Sequence, residues 1–320
     1  MSSQAKFLCS LWQGKHGVDI YSSTQRILPS LKNADLVAFI PGYTCKQDLI
    51  NAGYSICYYD QEKFSLTCSA DNKSVVVTGD LELIVNGEVI PYLAYALLEM
   101  QRQAAGQTSV HTAAVSLNGR GVLLMGKEGA GKTSMALHLC CEYGYKLVAN
   151  DIAIIGYDRG QTFIYEGTKF FWLRLDPMEK HHPDLVKFFL SSGDRDPWTN
   201  RTIVHPHQIG VEIETETVPI AAVFFLHVYE SAAKLHVERS LNRWPHLYLY
   251  ENFSRYIRRT CSPMMGGKDF HYLAYLPSLD TPDFHANRVK IIDHFIEDIG
   301  IYYVAGQLKD IGSTINQAIS

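Results

Sequence analysis

Residues 111–151 read HTAAVSLNGRGVLLMGKEGAGKTSMALHLCCEYGYKLVAND, and this stretch decides the fold class. Thr112 to Leu117 alternates in the manner of a strand, and Asn118-Gly119-Arg120 makes a turn. Gly121 to Met125 is then a continuous apolar run of the kind buried on both faces of a sheet. A glycine-rich loop, Gly126-Lys-Glu-Gly-Ala-Gly131-Lys132-Thr133, follows at once. Thr133 to Glu142 has helical character and Gly144 stops it. Lys146 to Ala149 is a second short buried strand, ending on Asn150-Asp151. Strand, glycine loop, helix and strand in that order predict an α/β domain.

The loop matches G-x-x-x-x-G-K-[ST] in the strand-to-helix setting that the motif's mechanism demands. Gly126, Gly129 and Gly131 let the backbone bend so that successive N–H groups converge on phosphate oxygens. The helix start adds the positive end of its dipole. The nucleotide-binding set is therefore Gly126, Lys127, Glu128, Gly129, Ala130, Gly131, Lys132, Thr133 and Ser134. Lys132 is placed to reach the β- and γ-phosphates of a nucleotide, and the Thr133 hydroxyl to ligate Mg2+; no base-reading motif separates ATP from GTP. Lys127 serves equally as a phosphate contact or as a solvated lysine. The competing reading is a glycine turn entering a helix with an incidental Lys-Thr.

A chain of 320 residues, 47% hydrophobic, has the apolar mass for a full core, which sets aside wholesale disorder. Its 29 basic and 33 acidic residues leave a formal charge of −4, so it carries no global electrostatic footprint for nucleic acid. The longest apolar stretch, Val218 to Tyr229, is interrupted by Pro219 and His227 and is too short to span a bilayer. No targeting segment is legible at the amino terminus. The expectation is a cytoplasmic protein with no nucleic-acid and no membrane partner. Seven scattered cysteines without a Cys-x-x-Cys pair predict free thiols of a reducing compartment and no structural zinc.

Residues 1–90 read as β-rich, with strands expected at 36–40, 54–58, 63–67 and 75–78. Leu81 to Val85, Asn86-Gly87 and Val89-Ile90 carry a hairpin signal. Pro91 opens a helix that Gly106 closes, with Leu93, Ala96, Leu97 and Met100 on one face. Further strands are expected at 162–165, 170–175, 211–213, 221–228 and 302–304. Helices are expected at 177–190, 246–258, 282–299 and from 308, and residues 191–200 read as a polar loop. The domain expectation is a β-rich region over 1–90, a candidate for substrate recognition, and a catalytic domain over 91–320.

Two features narrow the class. An aspartate follows Thr133 after only one helix and one short strand, and the strand before the loop is the second arm of a hairpin that opens at His111. With Ser-Val-His111, Gly126-x-x-x-x-Gly-Lys-Thr133 and Gly-Tyr-Lys-Leu-Val-Ala-Asn-Asp151, the chain resembles the carboxyl-terminal catalytic domain of HPr kinase/phosphorylase. That family shares its nucleotide-binding core with phosphoenolpyruvate carboxykinases. Phe171 to Leu175 and Val218 to Leu226 are similar to segments of the looser HPr-kinase-like group, which includes the kinases of lasso peptides.

The resemblance implies an α/β HPr kinase/PEP carboxykinase-like P-loop core with a β-rich amino-terminal region. It also implies ATP- and Mg2+-dependent phosphoryl transfer to a hydroxyl of a peptide, protein or small molecule, and a tendency to form homo-oligomers. Asp151 would be the general base, Lys132 the group that holds the transferred phosphoryl, and Thr133 a Mg2+ ligand. His111 would lie near the γ-phosphate or the acceptor. Taken alone, Asp151 also reads as a turn cap and His111 as a satisfied strand-start histidine. Asn150 stands where the family has a first aspartate; an amide takes up no proton, which puts the reverse, phosphorylase reaction in doubt. Glu166 is the candidate for a further Mg2+ carboxylate, with Asp176 the alternative. Arg201 is the first choice for a cation that offsets transition-state charge, with Arg174 and Arg258 behind it. Surface ion-pair roles are open to all three. His205 and His207 read as loop surface rather than a metal site. The rival functions are a P-loop ATPase or switch and a non-catalytic nucleotide-binding regulator.

Overall fold

Residues 4–33, 43–189, 200–229, 234–239, 244–258, 263–266, 271–276 and 278–320 are described by a computed structural model. The chain divides into two compact units, one of residues 1–109 with 251–288 and the other of residues 110–250 with 289–320. The strand expected at 36–40 and most of the polar loop at 191–200 lie outside the described residues.

The first unit is built on a six-stranded sheet. Its strands are β1 (Lys6–Gln13), β2 (His16–Ser22), β3 (Thr44–Lys46), β4 (Ser55–Asp60), β5 (Ser65–Cys68) and β6 (Ser74–Gly79), in the order β3-β1-β2-β4-β6-β5. The pairs β2–β4 and β4–β6 are parallel, and the hairpin β1–β2 is antiparallel. Cys9, Leu11, Val18, Ile20, Ile56, Val75 and Val77 are buried and form its core side. The helix Val89–Ala104 is buried from Leu93 through Gln103, its apolar residues together with Glu99, Gln101, Arg102 and Gln103. It ends with Ala105 as cap and Gly106 at φ +75°, the left-handed residue that the sequence places there.

The hairpin expected around Asn86-Gly87 is a helix instead. Leu81–Asn86 is helical, and the Asp80 carboxylate accepts from the N–H groups of Glu82 (2.9 Å) and Leu83 (3.3 Å). Gly87 has φ −88°, outside the positive region a type I′ turn requires. Leu81 and Ile84 are the buried residues, and their spacing of three is helical, so cap and period together overrule the dipeptide signal. The next helix starts at Val89, two residues before Pro91, whose absent N–H falls among the orphan donors of the first turn.

The second unit follows the predicted order. The strand β7 (Gln107–His111) crosses the division of the chain after Ser109, and β8 (Ala113–Leu117), β9 (Arg120–Met125), β10 (Lys146–Ala149), β11 (Ile152–Asp158) and β12 (Gln161–Gly167) follow it. The pair β13 (Phe171–Arg174) and β14 (Arg201–Val204), and then β15 (Val218–Val228) and β16 (His236–Arg239), come later. Asn118 (φ +52°) and Gly119 (φ +75°) close the β8–β9 hairpin. Part of the main sheet runs β10-β8-β9-β15-β12-β11. β9 is parallel to β15, and β15 is parallel to the late strand Ile301–Gly306. Flanked on both sides, Val122, Leu123, Leu124 and Met125 are 0% exposed, which explains the unbroken apolar run.

Three further expectations need correction. The helix expected over 177–190 is an α-helix at Leu175–His181 followed by a 3-10 turn at Pro183–Phe189, because Pro183 has no N–H to continue the ladder. The strand expected at 211–213 is a single parallel bridge, Leu147 to Ile213. The helix expected over 282–299 is regular only at Pro282–His294 and ends in a wider turn at Phe295–Ile299.

The helix Lys132–Tyr143 packs against the terminal helix Leu308–Ile319, and Leu137, Leu139 and Cys140 lie with Ile311 and Ile315 in one buried apolar cluster. His138 projects at Gly312, where an added Cβ would meet the ring at 2.5 Å. Its Nε2 is buried with no hydrogen-bond partner among the described residues. His182 Nε2 lies 3.1 Å from the carbonyl oxygen of Ser134, and a carbonyl only accepts, so this nitrogen carries the proton. Burial holds both imidazoles below the usual histidine range, with His181 nearby adding to the effect on each. A depressed folded-state pKa means that the unfolded chain takes up protons first, so stability is complete above about pH 6.5 and falls below it. The urea midpoint of this unit is expected to drop between pH 7.5 and pH 5.5. The drop should shrink in His138→Gln/His182→Gln, measured by denaturation at fixed ionic strength.

Candidate active site at the glycine loop

The loop leaves β9 at Met125 and enters the helix at Lys132, so its backbone crosses the end of the central strand. Gly126 has φ +144°, and a Cβ there would lie 2.9 Å from the carbonyl oxygen of Leu226. Gly131 has φ +87°, and its Cβ would lie 2.4 Å from Cγ2 of Val228. Both glycines are thus required by conformation and by the close approach of β15, whose Val228 N–H donates to the Ala130 carbonyl at 3.2 Å. Lys132 is buried and curls over the loop, its Nζ donating to the carbonyls of Gly126 (3.0 Å) and Lys127 (3.1 Å).

From the first turn of the helix a short polar run leads to the end of β10. Thr133 Oγ1 donates to Oδ1 of Asn150 at 3.0 Å, and Asn150 Nδ2 lies 3.5 Å from Oδ2 of Asp151. Asn150 is fully buried, and its N–H donates to the Thr168 carbonyl at 2.9 Å. Asp151 sits at φ +72°, in the left-handed region. Its carbonyl oxygen accepts from the Thr112 N–H (3.1 Å) and from Nδ1 of His111 (3.0 Å), which fixes the proton of that imidazole on Nδ1. His111, Thr133 and Asp151, all singled out from the sequence, are therefore linked through Asn150 and the Asp151 backbone, while Lys132, next to Thr133 in the chain, bonds to the loop itself.

Asn150 is the residue that sequence reasoning undervalued. Viewed as a lost acid it has no role, yet it is the link between the helix and the aspartate. Lys169 was missed altogether. Its Nζ donates to the carbonyls of Val148 (2.7 Å) and Glu214 (2.9 Å), pinning the strand that carries Asn150 and Asp151, and burial lowers its pKa. Gly167 presses on the same strand: a Cβ there would lie 2.2 Å from the Ala149 Cβ. Glu166 lies beside this anchor, 3.8 Å from Lys169 Nζ, with its Oε1 accepting from the Gly167 N–H at 3.1 Å. Asp176, its alternative, is paired with Lys180 at 3.0 Å.

Arg174 contacts Glu128 of the loop, and Arg201 is its register partner across β13–β14. Arg174 holds the Glu128 carboxyl below the usual glutamate range, and Arg201 and His111 add to that effect. Of the three arginines considered from sequence, Arg174 and Arg201 thus belong to the unit of the loop. Arg258 belongs to the other unit, where it pairs with Asp280 at 2.6 Å. The rings of His205 and His207 stack at 5.7 Å, and no cluster of three or more metal-ligating side chains occurs among the described residues. No helix among them is long and apolar enough to cross a membrane.

Residues 102–171, which contain the loop, Asn150, Asp151 and Lys169, match the model of the HPr Serine kinase C-terminal domain. The chain is also 24% identical to the HPr kinase/phosphorylase of Halalkalibacterium halodurans; the match covers 50% of this chain and 58% of that protein. A mixed α/β architecture with several sheets fits such a domain. Both matches are to HPr kinases, and they support an HPr kinase-like family for the part of the chain that they cover.

Proposed function

We propose that the chain is an ATP- and Mg2+-dependent kinase that moves the γ-phosphoryl group of ATP to a hydroxyl of a peptide, protein or small molecule. The observation that carries this reading is the run from Thr133 through Asn150 to Asp151, which brings a carboxylate to the head of the loop helix. Phosphoryl transfer needs positioning, charge neutralisation and a proton acceptor, and each has a candidate here. The loop and helix start receive the triphosphate. Lys132 exchanges the carbonyls of Gly126 and Lys127 for phosphate oxygens. Thr133 Oγ1 and Asn150 Oδ1 are hard oxygen donors suited to Mg2+, and Glu166 is the candidate for a further ligand. The metal would supply neutralisation of phosphate charge. Asp151 takes the hydrogen of the acceptor alcohol while that oxygen bonds to the γ-phosphorus and the bond to the ADP oxygen breaks. Arg174 and Arg201 offset the charge that develops. We assign acceptor recognition to residues 1–90 and catalysis to 91–320, and we place the working enzyme in the cytoplasm as a homo-oligomer.

Incubating the full chain with γ-labelled ATP and a panel of hydroxyl-bearing acceptors tests this reading. Mg2+-dependent transfer that disappears in Lys132→Ala is expected. Hydrolysis without transfer to any acceptor would favour a P-loop ATPase. The neutral amide of Asn150, bonded to Thr133 where an acid is expected, favours a second reading: a nucleotide-binding regulator without turnover. Tight ATP binding that neither turns over nor responds to substitution of Asp151 would establish that alternative.

A further inference from the structure

Glu128 brings a carboxylate to a loop whose other features attract negative charge. Its Oε1 contacts Nη2 of Arg174. The Arg174 side chain is 17% exposed and that of Glu128 78%, so the guanidinium is anchored and the carboxylate is the partner that water reaches. Arg201 stands opposite Arg174 in the antiparallel ladder, with its guanidinium 5.8 Å from the Trp172 ring. Like charges on directly opposed strand positions destabilise a sheet unless an anion compensates them. Within this unit, Glu128 supplies that anion.

We propose that Glu128 is an internal counter-anion for the Arg174–Arg201 pair, displaced by the terminal phosphates of a bound nucleotide, and that it thereby sets how strongly the loop prefers polyphosphate to monophosphate nucleotides. The inference rests on the nucleotide-binding reading above. A triphosphate carries more charge than a single carboxylate and so wins the guanidinium groups. It does so against a competitor that is tethered and always present. A nucleoside monophosphate, held at the other end of the cradle, does not reach the competed groups. Glu128 is a positioning residue in this scheme, acting through Arg174.

Equilibrium binding of ATP, ADP and AMP with Mg2+ to the full chain, by titration calorimetry, tests the proposal. Glu128→Gln is expected to tighten ATP roughly three- to tenfold, the effect of removing one competing charge at partly solvated contact distance. AMP should change less than twofold. Arg174→Gln should weaken ATP by a similar factor, and Arg174→Lys should recover part of the loss because the charge returns without the fork. Removing the compensating anion should lower the melting temperature slightly, so binding is compared at a temperature where wild type and variant are both fully folded by circular dichroism. Unchanged or weaker ATP binding in Glu128→Gln, or AMP tightening as much as ATP, overturns the proposal. Should wild type not bind ATP, or should Lys132→Ala bind it equally well, the nucleotide reading falls and this inference with it. ATP binding that is lost in Lys132→Ala but indifferent to Glu128→Gln removes the counter-anion alone.

Discussion

Asp151→Asn is expected to slow phosphoryl transfer by roughly 10²- to 10⁴-fold, the usual worth of a positioned general base. ATP affinity should stay within about threefold, because the residue is assigned to the acceptor's proton and not to the phosphates. Asparagine is the informative replacement for a structural reason. Asp151 holds φ +72°, a region that asparagine tolerates better than alanine does. Its carbonyl, which serves His111 and Thr112, is untouched by the change. Alanine would mix the loss of a base with strain at the junction of β10 and β11. Single-turnover transfer, with binding measured in parallel, separates the two quantities. Full transfer in Asp151→Asn would remove this carboxylate from the chemistry. A proportionate loss of ATP binding would make it a nucleotide ligand instead.

The strand-loop-helix-strand run over 111–151 was legible because every signal in it is local. The β8–β9 hairpin turns on adjacent left-handed residues, β9 is apolar throughout, and the glycines sit where the backbone must bend. The boundaries there hold to within a residue or two. The misreading at 81–90 was also local: Asn86-Gly87 is a strong hairpin dipeptide, yet the Asp80 cap and the spacing of Leu81 and Ile84 carry more weight. What sequence reasoning could not reach are contacts between distant residues. Asn150 meets Thr133 across 17 positions and Lys169 meets Glu214 across 45, and neither pairing leaves a periodic trace. The helix Val89–Ala104 shows the same limit. Its apolar face is plain from Leu93, Ala96, Leu97 and Met100, but its polar residues are buried as well, beside partners up to 185 positions away.

Those buried polar residues carry the largest expected stability effect, so Glu99→Ala should destabilise the first unit by about 3–5 kcal/mol. Glu99 and Arg102 are both 0% exposed, with Nη1 of Arg102 3.4 Å from Oε2 of Glu99. The carboxylate also accepts from Ser109 Oγ (2.6 Å), the Ser109 N–H (3.1 Å) and Gln103 Nε2 (2.8 Å). Arg102 spends its other nitrogens on Oε1 of Gln13, at 3.1 and 2.8 Å. Gln103 in turn accepts from Arg288, whose Nη2 lies 2.9 and 2.8 Å from the two Asp280 oxygens. Removing Glu99 leaves a buried guanidinium without its charge partner and several donors without an acceptor, and the low-dielectric surroundings magnify both losses. A chain of two units need not unfold in one step, so a global midpoint is the wrong measure. Hydrogen exchange across residues 89–104 reports this unit directly. Protection there should fall by two to four orders of magnitude, the same free energy at about 1.4 kcal/mol per tenfold. Replacing both partners, as in Glu99→Leu/Arg102→Met, should cost less than Glu99→Ala alone, since it removes the stranded charge together with the ion pair. A Glu99→Ala effect below about 1 kcal/mol would mean that water reaches Arg102, and the network would then be a solvated patch of the kind that adds little to stability.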